Sequence, residues 1–129
     1  MKYFLLLASL LFFLLLTGCE EQQHRTHTHV KHNERYYQTR LCKELDGIME
    51  KRLPDRTRID CLTNTYAIEV DFAKKWAESV GQSLYYAQMT GKKPAVGLIV
   101  DGSQKDLRHL KRLKLLARKY RIKIFKLKK

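Results

Sequence analysis

The sequence predicts an α/β sandwich, a small mixed β-sheet flanked by helices, and three observations carry that reading. Segments with apolar residues at helical spacing alternate with short runs rich in Thr, Ile, Val, Tyr and Phe. Two of these runs, RTRIDCLT at 56–63 and TYAIEVDF at 65–72, are separated only by Asn64 and read as a tight antiparallel hairpin. Another, AVGLIV at 95–100, is almost wholly apolar, the mark of a strand covered on both faces.

Taken in order, residues 36–52 place Tyr37, Leu41, Leu45 and Ile48 at helical spacing, and Pro54-Asp55 stops the run. Glu44 lies on the flank of that face, where it can approach whatever the helix covers. After the hairpin, residues 73–90 predict a helix that buries Trp76, Ala77, Val80, Leu84 and Ala87 and ends at Gly91. The apolar strand follows, and Asp101-Gly102-Ser103 turns the chain into a last helix with Leu107, Leu110, Leu113, Leu116 and Tyr120 inward. Residues 121–127 close as a strand, with Ile122, Ile124 and Leu127 set among lysines. The expected order is helix, two strands, helix, strand, helix, strand.

The 129 residues bound the chain to one domain, expected over residues 36–129. Ahead of it, Met1-Lys2 leads into an apolar run at 3–16 and then Thr17-Gly18-Cys19, a secretory signal too short for an ordinary span. Leu16-Thr17-Gly18-Cys19 resembles a bacterial lipobox, which implies a signal peptide of residues 1–18 and a lipid on Cys19. The expected location is the bacterial cell envelope, with the domain lipid-anchored to a membrane and facing the periplasm or exterior. In such an oxidising compartment Cys42 and Cys61 read either as a disulfide or as two buried thiols.

Residues 19–35 form a polar tether containing His24, His27, His29 and His32. A solvated linker is favoured there over a metal site, because no cysteine or carboxylate spacing completes one. The formal charge of +13 is uneven: residues 105–129 hold twelve Lys or Arg against the single acid Asp106. Such a block attracts polyanions, either nucleic-acid phosphates or anionic headgroups.

The hairpin carries the candidate chemistry. Alternation sets Glu69 and Asp71 on one face of their strand, and a matching register would bring Asp60 beside them. Carboxylates held so close raise one another's pKa unless a cation neutralises them, and hard oxygen ligands suit Mg²⁺ or Mn²⁺. The next helix adds Gln82 and Tyr86, four apart on one face, and Lys74 and Lys75 sit at the junction between strand and helix.

The ordered residues Asp60, Glu69-x-Asp71 and Gln82-x-x-x-Tyr86 resemble the PD-(D/E)XK nuclease superfamily, in particular its Holliday-junction-resolvase and RecB-type branches. The resemblance covers about residues 36–101. It implies a restriction-endonuclease-like fold and metal-dependent cleavage of DNA, with Glu44, Asp60, Glu69 and Asp71 holding Mg²⁺ or Mn²⁺. Gln82 and Tyr86 would shape the substrate groove. The chain departs from the pattern at Asp71, where the family carries lysine, and relatives that relocate this amine make Lys74 and Lys75 its candidates. A scaffold without chemistry, binding nucleic acid or anionic envelope components through its basic last helix, is the alternative.

Overall fold

The computed structural model describes residues 31–129. The signal peptide, Cys19, His24, His27 and His29 lie outside the described residues. The elements are α1 (Glu34–Glu44), β1 (Ile48–Arg52), β2 (Arg58–Leu62), β3 (Tyr66–Phe72), a 3-10 turn (Ala73–Lys75), α2 (Trp76–Thr90), β4 (Lys93–Val100), α3 (Gln104–Tyr120) and β5 (Lys123–Lys128). The five strands form one sheet in the order β1-β2-β3-β4-β5. β1, β2 and β3 pair antiparallel with one another in sequence, whereas β3, β4 and β5 pair parallel, with α2 and α3 as the connections. The expected α/β sandwich around a mixed sheet is thus present, with one strand more than the sequence suggested.

That extra strand is β1. The period of Tyr37, Leu41, Leu45 and Ile48 implies a helix to residue 52, but α1 ends at Glu44 and Ile48 opens an edge strand with 60% of its surface exposed. The chain leaves the helix through Asp46, at a left-handed φ of 50°, and Gly47 N–H caps the Cys42 carbonyl at 2.9 Å. A side chain at Gly47 has no room, since a Cβ there would lie 2.5 Å from Cys61 Sγ and 2.8 Å from Cys42 Sγ.

The sheet is covered on both faces. α1 lays Tyr37, Leu41 and Cys42 on the face that carries Cys61, Ile68, Val70, Ala95 and Ile99. α2 and α3 cover the other face, where Val80, Leu110, Leu113 and Ala117 meet Val96, Leu98 and Val100. β4 is an interior strand, and every residue from Ala95 to Val100 is buried, as expected for a strand with helices above and below. Ser103 caps α3 by accepting the Asp106 N–H at 3.2 Å, and Gly91 at φ 67° ends α2.

Two helical faces differ from the periodic expectation. α2 buries Ser79, Val80, Ser83, Tyr86 and Ala87, with Trp76 and Leu84 only partly covered and Ala77 exposed. Two serines small enough for close packing occupy the buried face, Ser79 donating to the Lys75 carbonyl and Ser83 to the Val80 carbonyl. On α3, Leu110, Leu113 and Ala117 are buried, whereas Leu107 and Tyr120 stand at the rim and are exposed.

Candidate active site

The acidic residues meet where the regular ladder between β2 and β3 stops. Pairing runs through Leu62↔Ala67 and Cys61↔Ile68, a register that would next set Asp60 opposite Glu69. There the side chain replaces the backbone: Asp60 Oδ2 accepts the Val70 N–H at 2.8 Å. Ile59 packs with Ala67 and Tyr86 while Cys61 packs with Ile68 on the opposite face, so two-residue alternation breaks at Asp60. Across the sheet, the β1 register puts Glu50 opposite Asp60, and Glu50 adopts a left-handed φ of 56°. A non-glycine residue there costs about 1–2 kcal/mol, strain of the kind that collects at functional sites.

The distortion is fastened from several sides. Gln38, buried on α1, donates from Nε2 to the Asp60 carbonyl at 2.9 Å and to Glu50 Oε1 at 2.7 Å. Arg58 Nε pairs with Glu50 Oε2 at 2.6 Å. Cys42 and Cys61 are joined by a disulfide, with their Cα atoms 5.5 Å apart, which ties α1 to the residue after Asp60.

Alternation along β3 turns Ala67, Glu69 and Asp71 toward α2. Glu69 is 7% exposed and Asp71 is 2% exposed. Asp71 Oδ2 accepts from Ser79 Oγ at 3.3 Å, and Lys75 Nζ lies 3.0 Å from Asp71 Oδ1. The second contact is an ion pair without hydrogen-bond geometry, so Asp71 Oδ1, like Glu69 Oε2, has no hydrogen-bond donor. Glu34, at the first turn of α1, approaches the same amine at 3.9 Å.

Burial sets the electrostatics. It pushes Glu69 up to about 9, with the charges of Asp60 and Asp71 adding to it. Burial also raises Asp60 to about 6, against the opposing Val70 N–H, and raises Glu34 to about 7, helped by its interaction with Asp71. The close contact and the charge of Asp71 raise Lys75, which stays an ammonium. Tyr86, buried against this cluster, is raised first by burial and then by Glu69, while a hydrogen bond with the exposed Gln82 acts the other way.

Asp60, Glu69, Asp71, Lys75, Gln82 and Tyr86 therefore form one neighbourhood. Glu44 and Lys74 do not belong to it. Glu44 sits at the far end of α1, about 15 Å along the axis from Glu34. Its side chain is 64% exposed and pairs with Arg40 at 3.9 Å. The first-helix acid at the cluster is Glu34, because α1 presents its N-terminal turn there. Lys74 lines a separate cavity of about 290 Å³ with Phe72, Asp101, Ser103, Lys105 and Lys129. The 3-10 turn separates the two lysines and leaves Lys75 facing the acids.

Four contributors escaped the sequence reading: Glu34, Gln38, Glu50 and Ser79. Asn33 gave a usable signal for the first two, since an Asn before an acidic residue marks a helix N-terminus, and its side chain caps Tyr36 N–H at 3.1 Å. Glu50 gave none, because a left-handed glutamate has no sequence signature.

Among the described residues no three His, Cys, Asp or Glu side chains gather tightly enough to enclose a metal ion. The donor chemistry nevertheless suits a hard divalent cation. Mg²⁺ commonly uses one or two carboxylates and completes its shell with water and substrate phosphate. Buried, mutually repelling carboxylates with donor-free oxygens at Glu69 and Asp71 are relieved by positive charge. Compared with known proteins, the chain matches no family model, no curated protein and no solved structure.

Proposed function

We propose that this chain is a lipid-anchored envelope protein with a restriction-endonuclease-like domain that hydrolyses DNA phosphodiester bonds with Mg²⁺ or Mn²⁺. The observation that carries the reading is the Lys75 amine 3.0 Å from the buried Asp71, close enough to act on the buried carboxyl of Glu69, which Asp60 also influences. The turn after β3 thereby restores the amine that Asp71 displaces from the strand. The order of Asp60 on β2, Glu69 on β3 and then Gln82 and Tyr86 on α2 supports the same reading.

In this reading Asp60 and Glu69 hold the cation, and Asp71 holds Lys75 rather than metal. The cation supplies Lewis acidity and charge neutralisation at the scissile phosphate. The Lys75 ammonium offsets charge that develops on the phosphoryl oxygens. Glu34, held near 7, is suited to take the proton that the attacking water gives up. Gln82 and Tyr86 orient the substrate, and the basic side chains of α3 follow the DNA backbone. Among the described residues no ion pair engages a Lys or Arg of α3, so these charges are free for phosphate.

One observation favours a second reading. Lys75 is shared between Asp71 and Glu34, an arrangement that also describes a settled ion-pair network. The chain would then be a non-catalytic scaffold that binds nucleic acid or anionic envelope components through α3. Purified full-length protein in detergent, given DNA and Mg²⁺ or Mn²⁺, separates the two. The nuclease reading expects cleavage that Asp60→Ala and Glu69→Ala abolish and that Lys75→Met lowers about 100-fold or more. DNA retained without cleavage, and released steeply by salt, supports the scaffold instead.

A further inference from the structure

We propose that the Cys42–Cys61 disulfide is a positioning element for the acidic cluster, clamping the Glu34 and Gln38 face of α1 to Asp60 so that the cluster is complete only in the oxidised protein. As a statement about catalysis this rests on the nuclease reading. As a statement about geometry it does not.

The bond sits where its loss is felt most. Glu34, Gln38 and Cys42 follow one another at four-residue intervals, so they share one stripe of α1. Gln38 grips the Asp60 carbonyl at 2.9 Å, and the covalent bond grips the next residue, Cys61. Both sulfurs are fully buried, and the chain leaves space for them by having glycine at position 47. The crosslink, with a sequence separation of 19, also closes the segment that holds left-handed Glu50. Asp60 itself pulls β3 off its regular ladder by taking the Val70 N–H, an arrangement that a freely pairing hairpin would relax.

Forming the bond removes two electrons and two protons from the thiols. An exchanging disulfide accepts them as it becomes a dithiol. The cytoplasm keeps thiols reduced, whereas the far side of a bacterial inner membrane oxidises them. A nuclease built this way stays incomplete beside the cell's own DNA and is finished only after export.

Amide hydrogen exchange on the full-length protein in detergent, oxidised against Cys42→Ala/Cys61→Ala, tests the geometry without any reference to cleavage. A merely structural crosslink lowers protection of Val70, Leu98 and Ile99 by one common factor, because all three then follow global stability. Positioning instead costs Val70 N–H about tenfold or more beyond the loss at Leu98 and Ile99, as Asp60 lets go of it. Mn²⁺ affinity of the variant falls alongside, by about tenfold or more. Equal factors at the three amides, or unchanged protection at Val70, overturn the proposal. Should the variant unfold, trimethylamine oxide restores the compact state and the same ratio decides. Oxidised protein that neither binds Mn²⁺ nor cleaves DNA defeats the nuclease reading, while the Val70 ratio still settles the role of the bond.

Discussion

The parallel and antiparallel halves of the sheet are held together by different forces. Around β4 the chain buries Val96, Leu98 and Val100 against Leu110 and Leu113, and among the described residues no charged side chain is buried in that core. Around β2 and β3 it buries Glu69, Asp71 and Gln38, strains Glu50, and adds a disulfide. Apolar burial of the first kind stabilises at roughly 25 cal/mol per Å². Carboxylate burial of the second kind opposes folding unless a charge or a covalent tie compensates. Closing a loop of this length contributes about 3 kcal/mol, comparable with the cost of the strain and of one unpaired carboxylate. The contrast teaches that the site lies in the half of the fold that apolar packing alone cannot hold.

The largest effect should come from the parallel half. Leu113→Ala removes a fully buried side chain from its centre and is expected to cost about 2–5 kcal/mol in urea unfolding. A loss below about 1 kcal/mol would mean that this core does not dominate stability.

The antiparallel half should respond with the opposite sign. Glu34, Asp60 and Glu69 all have folded values raised above those of free carboxyls. The folded protein therefore binds more protons than the unfolded chain between the ordinary carboxylate range near pH 4 and about pH 9. Their contribution is fully present below that range and is lost as pH rises through about 6, about 7 and about 9 in turn. Thermal unfolding without divalent ions should show stability declining across this window. Glu69→Gln should reduce the decline and stabilise the protein by on the order of 2 kcal/mol at pH 8. Mg²⁺ or Mn²⁺ should flatten the wild-type curve, and a curve already flat without metal would contradict the raised values that burial, and then mutual repulsion, give these acids.

The smallest effect on stability belongs to the outer face of α3. Lys111→Ala and Arg118→Ala remove exposed cations that make no ion pair among the described residues, and each should change stability by less than about 0.5 kcal/mol. In a DNA-binding titration against salt, each should instead reduce the slope by about one. An unchanged slope would assign that face to plain solvation.

Much of the architecture was legible because local patterns agreed with the tertiary result. The single residue Asn64 between two β-rich runs predicted the hairpin, and AVGLIV predicted the doubly covered strand. Ile48 was misleading, since its spacing after Leu41 and Leu45 continues a helical stripe that the chain leaves at Asp46. No periodicity announces that exit, and beside it the sulfur pair leaves no room for a side chain at Gly47. The same distinction runs through the site. Asp60, Glu69, Gln82 and Tyr86 stand out because their types and order carry chemistry, whereas Glu34 and Gln38 enter it only by the way α1 is docked.

By itself the sequence determined the helices and the strands other than β1, where the cations concentrate and which face of β3 carries acids, because side-chain period and charge are local properties. Only the tertiary structure decided that Glu34 rather than Glu44 joins the acids, that Lys75 rather than Lys74 faces Asp71, and that Asp60 interrupts the ladder. Those outcomes depend on the docking of α1, on the turn of residues 73–75 and on a distorted pairing at Asp60. Each is a compromise between burial, strain and a crosslink across elements that no stretch of sequence contains alone.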